Sequence, residues 1–392
     1  MHTSALRKGM AVRGAGVLLL AVALWATGQP WPALGPWVAA VGPTEAVVSW
    51  QAAEPGMGTV WYAEASAYPA GALSVAVEAP TALQHVRLSG LAPGVRYVYR
   101  VVLPSGAESP VASFTTPPER FQPFTFLVYG DSRTHYDRHQ LVAERMAAEE
   151  AAFVVHVGDL VESPTPLEWE KFFTSGTPLF QATSFYPVLG NHERNHASYY
   201  DLFPLPAGGG RAGKQWWSLR WGDVLLVGLD SNLVYLKFTG LREQTDWLRE
   251  VLAQDARYKF VFLHHPLYSS DLFYRSDENL AKLWAPIFRE HGVTAVFAGH
   301  CHNYEHVVRE GVHYFVTGGG GAPLAPLSPI RVEGSVFAAD FVLHYVRVEV
   351  GEAGVTVKMI PVAREQKTET GTELVLLSGV PLEVVELGGD GG

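Results

Sequence analysis

From residue 121 onward the sequence alternates short apolar runs with amphipathic stretches, and this order restricts the fold more than any other feature. Residues 124–129, 152–157, 224–229, 259–263 and 294–298 are mostly apolar, as strands buried on both faces must be. Between them, Leu241, Gln244, Leu248, Val251 and Leu252 share one helix face, with Trp247 beside it. Leu280, Leu283, Trp284 and Ile287 share another, and Ser276 is its candidate N-cap. The aromatics on these faces read as core. Strands alternating with helices predict an α/β domain over residues 120–362, with central β-sheets flanked by helices.

The runs end in a narrow set of polar residues. The first closes in Gly130-Asp131-Ser132-Arg133 and the second in Gly158-Asp159-Leu160. A further run, 185–189, leads into Gly190-Asn191-His192-Glu193. Two more close in His264-His265-Pro266 and Gly299-His300-Cys301-His302. Carboxyl ends of strands in an open α/β sheet meet at one crevice, so these side chains are expected to converge. Asp, Asn and His are oxygen and imidazole donors suited to borderline divalent ions. Taken singly each signal is weak, because Gly222-Asp223 and Gly389-Asp390 carry the same dipeptide and read as turns. The series points to a metal site, and its spread over five strand ends excludes a compact structural knuckle.

The chain has 392 residues, 48% apolar and 17% charged, which implies large cores and two domains. Its formal charge of −10 leaves no overall basic surface, so no nucleic-acid-binding surface is expected. A single cysteine, Cys301, excludes an intramolecular disulfide. Arg7, Lys8 and Arg13 precede an acid-free apolar run at 15–26, followed by Ala26-Thr27-Gly28. The apolar run is shorter than the ~20 residues that span a bilayer, so residues 1–28 read as a signal peptide. The alternative is an uncleaved anchor holding the chain at a membrane, with Trp25, Trp31 and Trp37 at the interface. Either predicts an exported protein: extracellular, periplasmic or on the outer membrane face.

Residues 34–116 read as an all-β sandwich. Stretches 45–50, 59–63 and 95–101 are rich in β-branched and aromatic residues, and 88–94 form a Pro-Gly turn. Trp50, Leu91, Tyr97 and Tyr99 are expected inside. The pattern resembles a fibronectin type III domain. Thr115-Thr116-Pro117-Pro118 reads as a stiff linker. Residues 363–392 form a C-terminal tail, for which an extra hairpin and a mobile end both stay open.

The order Gly-Asp, Gly-Asp, Gly-Asn-His-Glu, His-x-Pro, Gly-His-x-His resembles the calcineurin-like metallophosphoesterases. Together with the sandwich, Thr317-Gly318-Gly319-Gly320-Gly321 looks like the purple acid phosphatase branch. The resemblance implies metal-dependent hydrolysis of a small phosphate ester at a dinuclear centre. Asp131 and His302 would bind the first ion, Asp159 would bridge, and Asn191, His264 and His300 would bind the second. The family's spacing to proline selects His264 over His265. His192 corresponds to the catalytic histidine near the leaving group.

Two departures bear on the metals. The branch carries tyrosine three residues after the second aspartate, where this chain has Glu162; some relatives carry histidine where it has Arg133. The first ion therefore lacks protein ligands that water or Glu162 would supply. Two divalent ions (Mn, Fe or Zn) are expected and a ferric–tyrosinate centre is not. Arg133 is a candidate substrate-binding residue for a bidentate phosphate contact, or else an ion-pair partner. His265, Tyr304 and His306 are candidates for shaping the pocket. A monoester is favoured over a diester or nucleotide, and the contrasting reading is a retired enzyme serving as a binding or adhesion module.

Overall fold

Alternating burial along residues 33–115 folds them into two antiparallel sheets. Strands Ala33–Ala39, Glu45–Gly56 and Thr81–Ser89 form one; Leu73–Ala76, Thr59–Glu64, Arg96–Val102 and Ala112–Thr115 form the other. In Arg96–Val102 every second residue is buried, the period that turns one face of a strand to a core. Tyr97 and Tyr99 meet Trp50 and Leu91 there, as the sequence predicts. The computed structural model describes residues 31, 33–235, 240–369 and 371–388. Residues 1–28, with their signal or anchor reading, lie outside the described residues.

The sandwich is welded to the domain that follows. Thr116, Pro117 and Pro118 are buried, and Thr116 Oγ1 donates to Ala92 O at 2.7 Å, so the stretch read as a stiff linker is packed against the sandwich. Trp37, an interfacial residue under the anchor reading, is instead buried in strand Ala33–Ala39. Its ring centroid lies 4.3 Å from that of Phe173, and its Nε1 donates to Leu202 O at 3.2 Å. Trp37→Ala is expected to cost about 3–5 kcal/mol, the range for emptying a buried tryptophan site, and urea unfolding measures it.

Residues 124–387 build a second sandwich. One sheet holds the parallel strands Phe124–Tyr129, Phe153–His156 and Ser184–Pro187 beside antiparallel Val342–Val350 and Val355–Thr368. The other holds parallel Val224–Gly228, Tyr258–Phe262, Ala295–Ala298 and Val312–Thr317. The single open crevice of the sequence expectation is thus a seam between two sheets. Side-chain alternation is the reason. Phe260, Phe262 and Phe297 point inward, and Phe126 from the first sheet packs on Phe260 with centroids 5.2 Å apart. Val261 and Val296 point outward to helices Leu241–Leu252 and Glu278–Glu290.

Two local expectations change. The N-cap of Glu278–Glu290 is Asp277, whose carboxylate accepts from Asn279 N and Leu280 N. Ser276 Oγ instead accepts from Ser269 N at 3.0 Å. The expected boundary at 362 falls inside strand Val355–Thr368, which also pairs with Gly371–Leu376 and Glu383–Leu387. Most of the tail is therefore edge structure of the first sheet, because the burial of that strand continues unbroken from Met359 through Ala363.

Candidate metal centre

Asp131, Asp159 and Asn191 follow the three parallel strands of the first sheet, while His264 and the His300–His302 loop follow strands of the second. The turns interlock. Asp131 N donates to Gly158 O at 3.0 Å, and Asp131 Oδ2 accepts from His300 N at 2.9 Å. A Cβ on Gly190 would lie 2.2 Å from Asp159 N, so only glycine permits that approach. Gly318 likewise lies flat against Cys301 O, where a Cβ would come within 2.2 Å. Asp131, Asp159 and His300 have φ of 59°, 58° and 67°. Left-handed backbone at three non-glycine positions is strain of the kind that concentrates at functional sites.

The side chains face one another across the seam. His264 Nδ1 donates to Val157 O at 2.8 Å and His302 Nδ1 to Pro323 O at 2.7 Å, which directs both Nε2 atoms inward. His264 Nε2 lies 3.3 Å from Asp159 Oδ1 and 3.1 Å from Asn191 Oδ1. His302 Nε2 lies 3.4 Å from Asp131 Oδ1, an oxygen that is buried and has no well-aligned hydrogen bond. Ligand atoms of Asp131, Asp159 and His264 lie within 4.8 Å of one another, as do those of His264, His265 and His300. Buried carboxylates facing buried imidazoles are a donor set that a divalent ion would satisfy. His265, which sequence spacing sets aside, is thus beside the ligands, with Nδ1 on Ser231 Oγ at 2.8 Å.

Charge in the cluster is divided unevenly. Burial by itself would raise the Asp159 carboxyl, but His264, His192 and Arg133 together outweigh it and hold the group well below its usual range. Burial would lower His264, and Asp159 instead lifts it to about 9. Burial and the neighbouring His264 depress His300 to about 3.

His192 N donates to Asp159 Oδ1 at 2.9 Å. Its Nδ1 meets Glu162 O at 2.7 Å, leaving Nε2 3.8 Å from Asp159 Oδ2 at the partly open side of the site. Arg133 lies over the same aspartate, with Nε 3.3 Å from Asp159 Oδ2 and Nη1 2.7 Å from Glu162 Oε2. Glu162, a candidate to complete the first ion's shell, is instead a half-exposed partner of Arg133 and Thr134. Tyr304 and His306 do not line the site, since both bond Glu383 of the C-terminal strand, at 2.7 and 2.9 Å.

Two supporting residues escape notice in the sequence. Glu193 is buried, and its carboxylate accepts from the backbone N–H groups of Asp159, Leu160, Val161 and Gly190. Burial and Asp159 push its pKa up to about 7. His156 takes Gly158 N on Nδ1 at 3.2 Å and meets Ser132 Oγ through Nε2 at 3.0 Å, bracing both aspartate turns. Glu193 does end the Gly-Asn-His-Glu run, but three of its four partners lie more than 30 residues upstream and no local pattern marks them.

Residues 124–304 match the calcineurin-like phosphoesterase family, and residues 36–116 match the purple acid phosphatase N-terminal domain. The chain thus carries a calcineurin-like phosphoesterase domain. It also carries a purple acid phosphatase N-terminal domain, which is all β, and it is similar to purple acid phosphatases. A purple acid phosphatase from Glycine max is 26% identical over 62% of this chain and 56% of its own length. An Arabidopsis thaliana protein named "probable inactive purple acid phosphatase 1" is 27% identical over 47% of this chain and 37% of its own length. The chain spans about half the length, or less, of these curated relatives. A purple acid phosphatase from yellow lupin seeds shares the fold with a TM-score of 0.69, at 18% identity over 83% of this chain and 71% of that one. Among the described residues no helix is long and apolar enough to cross a membrane.

Proposed function

We propose that this protein hydrolyses small phosphate monoesters at a centre of two divalent ions, Mn, Fe or Zn. The observation that carries the reading is the convergence of Asp131, Asp159, His264 and His300 within one buried seam, with Asn191 and His302 at its two ends. Asp131 and His302 would hold the first ion, Asp159 would be shared, and Asn191, His264 and His300 would hold the second. When bound, such ions supply Lewis acidity and make water nucleophilic at neutral pH.

The chain's own groups supply the rest. His192, fixed through Nδ1, presents Nε2 as the atom that carries a proton to the leaving oxygen. Arg133 exchanges Glu162 for substrate phosphate, swapping one anionic partner for another at little cost in charge. His192→Ala is expected to lower kcat by ~10²–10⁴-fold while metal content stays at the wild-type level, measured by steady-state kinetics with elemental analysis. The reading as a whole is tested by elemental analysis, an absorption spectrum and a paired assay of nitrophenyl mono- and diesters across metals and pH. Monoester turnover without a tyrosinate–iron band supports it. A strong band contradicts the divalent assignment, and inactivity on both esters favours a retired binding module. Export belongs to the same proposal, and N-terminal sequencing of the mature protein checks cleavage before Gln29.

A further inference from the structure

The loop after His264 exposes three consecutive large apolar side chains beside the metal centre. Leu272 is 40% exposed, Phe273 69% and Tyr274 48%. A run of this kind on a surface is a folding liability unless it has a use. The base of the loop is rigid. Buried Asp271 accepts from Phe273 N at 2.8 Å and Tyr274 N at 2.9 Å through Oδ1, and from Asn303 Nδ2 at 2.7 Å through Oδ2. Leu272 N donates to Pro326 O at 3.1 Å, and Ser270 Oγ donates to Glu305 Oε1 at 2.6 Å. The exposed tip is therefore held in place. Asn303 adjoins His302, so one carboxylate joins the tip to the His300–His302 loop.

The tip also touches the proposed ligands. The Tyr274 ring centroid lies 4.6 Å from that of His300 and 6.3 Å from that of His302. Part of the Tyr274 surface packs on the imidazoles while nearly half stays open beside them. A phosphate held between Asp131, Asp159 and the histidines would lie beside this edge.

We propose that Phe273 and Tyr274 form the recognition surface for the leaving group, and that the preferred esters carry a flat aromatic ring close to phosphorus. The inference rests on the hydrolase reading for the position of the phosphate. Stacking suits the surface, because aromatic side chains hold flat rings by face and edge contact without needing a buried polar partner.

The test uses the full chain loaded with Mn or Zn. Phenylphosphonate and methylphosphonate, which the enzyme cannot turn over, are compared by calorimetry. The phenyl compound is expected to bind about tenfold more tightly, the scale of one aromatic stack. Phe273→Ala and Tyr274→Ala should bring that ratio toward one, and Phe273→Trp should keep it. In kinetics, the kcat/KM ratio of naphthyl phosphate to glycerol 2-phosphate should follow the same order. Adenosine 5′-monophosphate in parallel separates a nucleotide from a simple aryl ester.

Equal binding of the two phosphonates by the wild type overturns the inference, as does a ratio unmoved by both alanine variants. Self-association would then account for the exposed tip, and sedimentation of wild type against Phe273→Ala reads it. If no ester is hydrolysed with any metal, the hydrolase reading fails by itself. The phosphonate pair still decides the recognition surface.

Discussion

Asp159→Asn is expected to reduce bound metal below two ions per chain and to lower kcat/KM by more than about 100-fold, since loss of even an outer-shell partner reaches 10–100-fold. Asp159 is central in the seam. Its Oδ1 faces His264 Nε2 and accepts His192 N, and its Oδ2 faces Arg133 Nε. Asparagine keeps an oxygen for His192 N and nearly the same volume, so the turn survives while the negative charge is lost. That separation makes the variant informative. Elemental analysis with kinetics measures both effects, and a variant that keeps two ions and full turnover would remove Asp159 from the bridging position.

Glu193→Ala is expected to destabilise the protein by at least about 4 kcal/mol. Four buried N–H groups would lose their acceptor, at no less than about 1 kcal/mol each. A loss of that size is rare for one substitution and follows here from breaking a buried network. Glu193→Gln keeps one carbonyl oxygen and should lose less. The charge has its own signature. Folding raises the Glu193 pKa from 4.5 to about 7, so between those values the folded state binds the proton more tightly. Its contribution to stability is fully present below pH 4.5 and is lost as pH rises to about 7. Chemical denaturation of metal-free protein across that window isolates this contribution as a difference: relative to Glu193→Gln, the wild type should lose stability as pH rises from 4.5 to about 7.

The strands bearing the candidate ligands were legible because an apolar run ending in Gly-Asp, Gly-Asn, Gly-His or His-His-Pro announces both a buried strand and its exit. The helix faces at 241–252 and 280–287 were legible for the same reason of period. The cap of the second helix was not, since Ser276 and Asp277 both suit an N-cap and only the path of the 269–277 loop selects between them. Ion pairing was equally hidden. Arg133 and Glu162 are 29 residues apart, and their 2.7 Å contact exists only once two turns meet.

The sequence by itself determined which residue types stand at each strand end and in what order, and these bear on a metal-centred chemistry. Local pattern suffices for that, because strand period and turn residues act over a few positions. Only the tertiary structure decided that the strands lie in two sheets, that His265 stands beside His264 and His300, and that Glu193 and His156 brace the aspartate turns. Each depends on contacts between segments far apart in the chain, made by packing the inward phenylalanines of one sheet against the other. Packing complementarity of that kind leaves no periodic trace in either segment alone.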